Sequence, residues 1–179
     1  MIANLTSEAL FAALAEREDR CELVDGEIVT VSLAGFVHGQ VVSQIAFLLK
    51  LHLRQTGGDA VVIAGDPGFI WDPRNVRAPD VAVVTRADAA NAPAAGFIPF
   101  APLLAVEVVS PSDRWHDVHQ KAQGWLAHGA RSVWVVDPAD RFMVIHRPGL
   151  LRELRGADTI ADDPALPGFA CPLVEVFRV

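Results

Sequence analysis

Two carboxylates and one lysine stand where this chain could do chemistry. Glu107 interrupts the apolar run Leu103-Leu104-Ala105-Val106, which continues through Val108-Val109. Such a run suits a strand covered on both faces. A carboxylate inside it needs a cation, a hydrogen-bond donor or an opening to water. Asp80 follows Pro79 and opens a second apolar run, Val81-Ala82-Val83-Val84. Side by side in one sheet, the two carboxylates would repel each other without a cation. Hard oxygen ligands on a rigid sheet suit Mg²⁺ or Mn²⁺, and such an ion can polarise a phosphoryl oxygen and activate a bound water. A lysine alongside could orient or deprotonate that water, or neutralise charge developing on the phosphate. Two acids, a lysine and a divalent ion fit phosphodiester hydrolysis.

The lysine is Lys121, and the elements around it must bring it to Glu107. Ser110-Pro111-Ser112-Asp113 reads as a helix start, with Ser110 as N-cap, Pro111 at the first helical position and Asp113 in the first turn. The helix is expected to run to about His128, with Gly129 as its stop. A strand rises about 3.3 Å per residue, so Glu107 lies roughly 13 Å before Pro111. A helix rises about 1.5 Å per residue, so Lys121 lies roughly 15 Å beyond it. A helix folded back over the strand therefore brings the two to one level. Lys121 also shares a helical face with Val118, Ala122 and Trp125, the expected buried seam. The run Ser132-Val133-Trp134-Val135-Val136 then completes a parallel strand–helix–strand unit.

The rest of the chain supplies the frame. Residues 6 to 18 read as a first helix with Leu10, Phe11 and Leu14 on its apolar face. Asp25-Gly26 between Cys21–Val24 and Glu27–Val31 is a hairpin signal. Val41, Val42, Ile45, Leu48, Leu49 and Leu53 keep helical spacing over residues 36 to 55, and Gly57-Gly58 ends that helix. Strands are expected at Ala60–Ala64, Gly68–Trp71 and from Asp80 onward. Residues 86 to 102, rich in Ala and Pro, read as a surface excursion. Phe142–His146 and Leu150–Leu154 read as an antiparallel pair, Leu166–Phe169 as a turn and Leu173–Phe177 as a closing strand.

With 179 residues and 51% hydrophobic content, the chain is expected to fold as one domain over residues 1–179. No apolar run approaches a membrane span, and Met1 to Phe11 lacks the pattern of a secretory signal. Two cysteines, Cys21 and Cys171, give neither a disulfide framework nor a zinc spacing, which fits a cytoplasmic protein. The net charge of −7 counts against a general nucleic-acid coat protein, though not against a nuclease with local, metal-assisted phosphate contacts. All but two of the fifteen basic residues are Arg. A lysine on a buried face is then a candidate for ammonium chemistry, because its pKa responds to burial far more than that of arginine.

Pro79-Asp80, Glu107-Val108-Val109 and the downstream helical Lys121 resemble the PD-(D/E)XK nucleases of restriction-endonuclease-like fold. The chain is more closely similar to one branch, the Uma-two family. The pattern is Glu22-Leu23-Val24-Asp25-Gly26-Glu27, His38, Pro79-Asp80, Glu107 to Asp113, Lys121, Gly129, Trp134 to Pro138 and Leu166 to Phe169, in order along nearly the whole chain. The resemblance implies an α/β fold: a mixed β-sheet core flanked by α-helices, with an added N-terminal helix–hairpin and C-terminal strands. It implies Asp80 and Glu107 as ligands of Mg²⁺ or Mn²⁺, the Val108 carbonyl as a third ligand, Lys121 as the catalytic lysine and Glu22 as an auxiliary acid. DNA is the implied substrate, and a homodimer is expected for cutting both strands. One departure is visible: the usual lysine position, two residues after the acid, holds Val109.

Simpler roles stand beside these. Asp80 could be a strand-start residue bonded to a turn, and Lys121 a solvated residue lying past Trp125. Glu22 and Glu27 flank a hairpin turn, where charge is ordinary. His38 opens a helix, where packing or capping is expected and a catalytic role is the alternative. His116 and His119 are read as a solvated face. The arginines at 131, 141, 147, 152 and 155 could face phosphate or lie scattered. Two rival functions remain: a catalytically silent domain that binds nucleic acid or a protein partner, and a hydrolase of small phosphate compounds.

Overall fold

The computed structural model describes residues 6–178. Residues 1–5, part of the segment read for a secretory signal, lie outside them. In chain order the elements are α1 (Ser7–Ala15), β1 (Cys21–Val24), β2 (Glu27–Thr30), α2 (Phe36–Thr56), β3 (Ala60–Ala64), β4 (Phe69–Asp72), β5 (Asn75–Arg77), β6 (Val81–Thr85), α3 (Arg86–Ala90) and β7 (Leu104–Val108). They continue with α4 (Trp115–Ala127), β8 (Ser132–Asp137), β9 (Phe142–Arg147), β10 (Leu150–Arg155), β11 (Thr159–Ala161), β12 (Ala170–Pro172) and α5 (Leu173–Val176). No helix among the described residues is long and apolar enough to cross a membrane.

The core is a mixed six-stranded sheet in the order β10-β9-β8-β7-β6-β3. Only β7 and β8 run parallel, as the intervening α4 requires. Side-chain alternation divides the strands between two helices. Val81, Val83, Leu104, Val106, Trp134 and Val136 pack with Val41, Ile45 and Leu49 of α2. Ala82, Val84, Ala105, Val133 and Val135 pack with Ala122 and Trp125 of α4. Glu107 has the parity of Ala105, so its carboxylate emerges on the side of α4. This explains why the strands read as continuous apolar runs: both faces are covered.

A second, four-stranded antiparallel sheet, β2-β1-β5-β4, sits over α1 through Leu10, Leu14, Leu23 and Val76. The expected hairpin is there. Asp25 and Gly26 both take positive φ, 51° and 83°, as its two-residue turn demands. Three expectations are corrected. Helix α4 begins at Trp115, because Ser110–Asp113 closes a turn of its own: the Asp113 N–H donates to the Ser110 carbonyl at 2.9 Å, and Asp113 Oδ2 accepts from Ser110 N at 2.8 Å. Leu173–Val176 is a short helix rather than a strand, its buried Leu173 and Val176 one turn apart. The stretch 86–102 holds α3 and also reaches inward, for Ile98 bridges Phe69 and, with Phe100, packs against the core on the α4 side.

Candidate active site

The open ends of the two sheets meet around Lys121. From the middle of α4, its Nζ lies 2.9 Å from Glu107 Oε2, 2.9 Å from the Ala78 carbonyl and 2.9 Å from Glu22 Oε1. These acceptors come from β7, from the connection between β5 and β6, and from β1. The expected meeting of Glu107 and Lys121 is therefore present, and Glu22 joins it.

Each carboxylate has further partners. Glu107, buried in the main sheet, accepts a 2.6 Å hydrogen bond at Oε1 from Trp125 Nε1, one helical turn beyond Lys121. Glu22 accepts from Ala78 N at 2.9 Å, and Arg77 Nε lies 2.8 Å from its Oε2. Asp80, just ahead of β6, accepts from Val108 N at 2.7 Å through Oδ2. The antiparallel pairing of β6 with β7, Val81 opposite Val106, places it at the end of β7. Its Oδ1 lies 3.3 Å from Nε2 of His38, which the first turn of α2 supplies.

The electrostatics follow from burial and partners. Burial opposes the charge on Lys121, but Glu107 and Glu22 outweigh it and raise the ammonium pKa above its usual value. Lys121 is thus held charged with oxygen at hand for each of its three N–H groups. A general base needs a free lone pair near neutral pH, so what this ammonium can offer is charge and orientation. Burial pushes Glu107 up, with Lys121 opposing and the charges of Asp80 and Glu22 adding to the rise. Glu22 also suffers from burial, yet Lys121 and Arg77 hold it below the usual carboxylate range. Burial works against charge on His38, and Asp80 overcomes it to raise the imidazole pKa.

Glu22, His38, Asp80, Glu107, Val108 and Lys121 all line one cleft of about 500 Å³. Its mouth holds the Arg20–Asp66 ion pair, at 2.6 Å. No three His, Cys, Asp or Glu side chains among the described residues gather at coordinating distance. The donor set still suits a hard ion that uses one or two carboxylates, a main-chain carbonyl and water, and Asp80, Glu107 and Val108 face the same space.

Several neighbours escaped the sequence reading. His38 belongs to the cleft; packing or capping was its first expected role and a catalytic one the alternative, and although it stands in the Uma-two pattern, a lone histidine at a helix start does not by itself decide between them. Arg77 had no signal beyond lying three residues before Asp80. Trp125 was legible as the i+4 neighbour of Lys121, though its bond to Glu107 was not. None of the arginines at 131, 141, 147, 152 and 155 lines the cleft. Of the histidines on α4, His116 is exposed as expected, whereas His119 turns inward, its Nδ1 3.1 Å from Nε2 of His146 on β9.

The family model of Uma2, described as "Putative restriction endonuclease", matches residues 8–174. Among solved structures, the chain is similar to the crystal structure of "a putative nuclease belonging to DUF820" from Anabaena variabilis. The TM-score is 0.82 with 17% identity, covering 97% of this chain and 98% of that one. At that identity the likeness shows the fold. No curated protein matches the chain.

Proposed function

The chain belongs to the Uma2 family of restriction-endonuclease-like proteins, and from that premise we propose that it hydrolyses phosphodiester bonds of DNA with the help of Mg²⁺ or Mn²⁺. The observation that carries the proposal is the convergence of Asp80, Glu107, Glu22 and Lys121 in one cleft. Asp80, Glu107 and the Val108 carbonyl would hold the cation, which supplies Lewis-acid polarisation and an activated water when bound. Lys121 contributes a fixed positive charge beside the carboxylates, suited to orienting water and to offsetting charge on the scissile phosphate. Glu22 is the auxiliary acid that, with Ala78, fixes the ammonium in place. A homodimer would present two such clefts to a duplex.

One observation favours the silent reading. Both oxygens of Glu107 already have protein partners, Trp125 and Lys121. Supercoiled plasmid and labelled single-stranded DNA, each with Mn²⁺, Mg²⁺ or EDTA, separate the two. The nuclease reading expects cleavage with metal and none with EDTA. Binding of labelled DNA without cleavage by the folded protein would establish the silent one. Release of phosphate from free nucleotides, with DNA left intact, would point to the small-phosphate hydrolase.

A further inference from the structure

We propose that His38 is a ligand of the divalent cation, and that the site therefore prefers Mn²⁺ to Mg²⁺. The inference rests on reading the cleft as a nuclease centre and extends it to a residue outside the acid pair and the lysine. The helix start brings His38 beside Asp80 with its side chain 9% exposed, and the ring lines the cleft. Its Nε2 stands 3.3 Å from Asp80 Oδ1. That is long for a charge-assisted hydrogen bond, which runs at about 2.7–2.9 Å. It is close to the spacing of two adjacent ligands on one ion, for bonds of about 2.1–2.2 Å meeting at a right angle span about 3.0–3.1 Å.

The surroundings agree. The main chain of Val108 also faces the ring, so the imidazole, Oδ1 of Asp80 and Val108 border the same space. Nδ1 is buried and has no partner. No contact at Nδ1 fixes the tautomer, and a cation at Nε2 would take the place of the proton that Asp80 draws onto the ring. Glu107 is the more encumbered acid, with Trp125 and Lys121 on its two oxygens. His38 Nε2 and Asp80 Oδ1, whose mutual contact is 3.3 Å, are thus less firmly held than the two oxygens of Glu107. Imidazole nitrogen is a poor ligand for Mg²⁺, which favours oxygen; Mn²⁺ accepts it more readily, though less strongly than the later transition ions do.

Calorimetric titration of the whole chain with MnCl₂ and with MgCl₂ tests this, using wild type and His38→Ala. The expected result is Mn²⁺ binding at least tenfold tighter than Mg²⁺ in wild type. In His38→Ala, Mn²⁺ affinity falls at least tenfold and Mg²⁺ affinity changes less than threefold. Electron spin-echo spectroscopy of Mn²⁺ on the wild type should show a directly coordinated ¹⁴N, a readout that does not depend on the variant folding. Mn²⁺ bound without a nitrogen coupling, or equally by both proteins, overturns the ligand role while leaving a metal-dependent nuclease standing. Tighter Mn²⁺ binding by His38→Ala would make His38 a competitor for Asp80 and overturn it as well. A wild type that binds neither ion overturns both this inference and the metal-dependent reading.

Discussion

Lys121 on α4 and Glu22 on β1 meet at 2.9 Å across the seam between the two sheets. The same ammonium reaches Glu107 in the main sheet at 2.9 Å. One cation thus joins the four-stranded sheet, the helix and the six-stranded sheet, and it stands between two buried carboxylates that would otherwise face each other. Removing it leaves Glu107 without a cation and Glu22 with Arg77 alone. Lys121→Ala is expected to lower unfolding stability by about 3–5 kcal/mol, the usual cost of breaking a buried pair from one side. Urea denaturation reads this. A loss below about 1 kcal/mol would show that water compensates the acids.

Trp125 Nε1 is the donor for the other oxygen of Glu107. Trp125→Phe keeps an aromatic ring in the core and removes that donor. It is expected to cost about 1–3 kcal/mol for a buried acceptor left unpaired, beyond the lost ring volume. In the double variant with Glu107→Ala, which removes the acceptor, the two losses should not add, because the residues share one bond. Additive losses in the denaturation cycle would mean that the bond carries no energy.

Gly124 lies between these two side chains on α4, and its lack of a side chain has a use. A Cβ there would lie 2.3 Å from Cη2 of Trp71, which packs edge-on to Trp125 with ring centroids 4.9 Å apart. Arg77, the partner of Glu22, in turn lies over the Trp71 ring at 5.2 Å. Gly124→Ala would displace Trp71 and loosen the aromatic backing of the site. A loss of about 1–3 kcal/mol is expected for this overpacking, together with a changed tryptophan emission spectrum. Unchanged stability and emission would show that Trp71 moves freely.

The pair on the far side of α4 sets a pH dependence. Burial, with a smaller contribution from His119, lowers His146 from its usual value to about 4. The unfolded chain therefore binds a proton between about pH 6.5 and pH 4 that the folded chain refuses. Stability should rise with pH across that window and fall as the solution is acidified, by at most about 3 kcal/mol from this group. Melting temperatures of wild type and His146→Gln between pH 4 and 7 check it. The variant should show a shallower slope, and parallel slopes would assign the effect to other groups.

Much of this arrangement was legible because it depends on regular geometry. The apolar runs around Glu107 and after Asp80 are buried on both faces, and only strands covered by helices on either side satisfy that. The rises of strand and helix brought Lys121 level with Glu107 even though the helix begins four residues later than its proline suggested, since Ser110 to Asp113 still turn the chain back. What stayed hidden depends on contacts without a pattern. Strand β5 is three residues long with Val76 as its only buried apolar residue. Leu173 and Val176 are as compatible with a strand end as with one helical turn. His38 meets Asp80 because the whole of α2 lies across β6 and β7, a tertiary fact with no local trace.

In the proposed reaction Asp80 and Lys121 together carry a metal-dependent cleavage of DNA. Its most direct test is the rate of plasmid nicking with Mn²⁺ by wild type, Asp80→Asn and Lys121→Met, each verified as folded at the assay temperature. Asp80→Asn removes the charge of a metal-facing acid, and Lys121→Met keeps the length of the side chain without its ammonium. Nicking by the wild type that EDTA abolishes is expected, with at least a hundredfold loss in both variants. Nicking that persists in both folded variants, or no nicking by the wild type on any DNA, would contradict it.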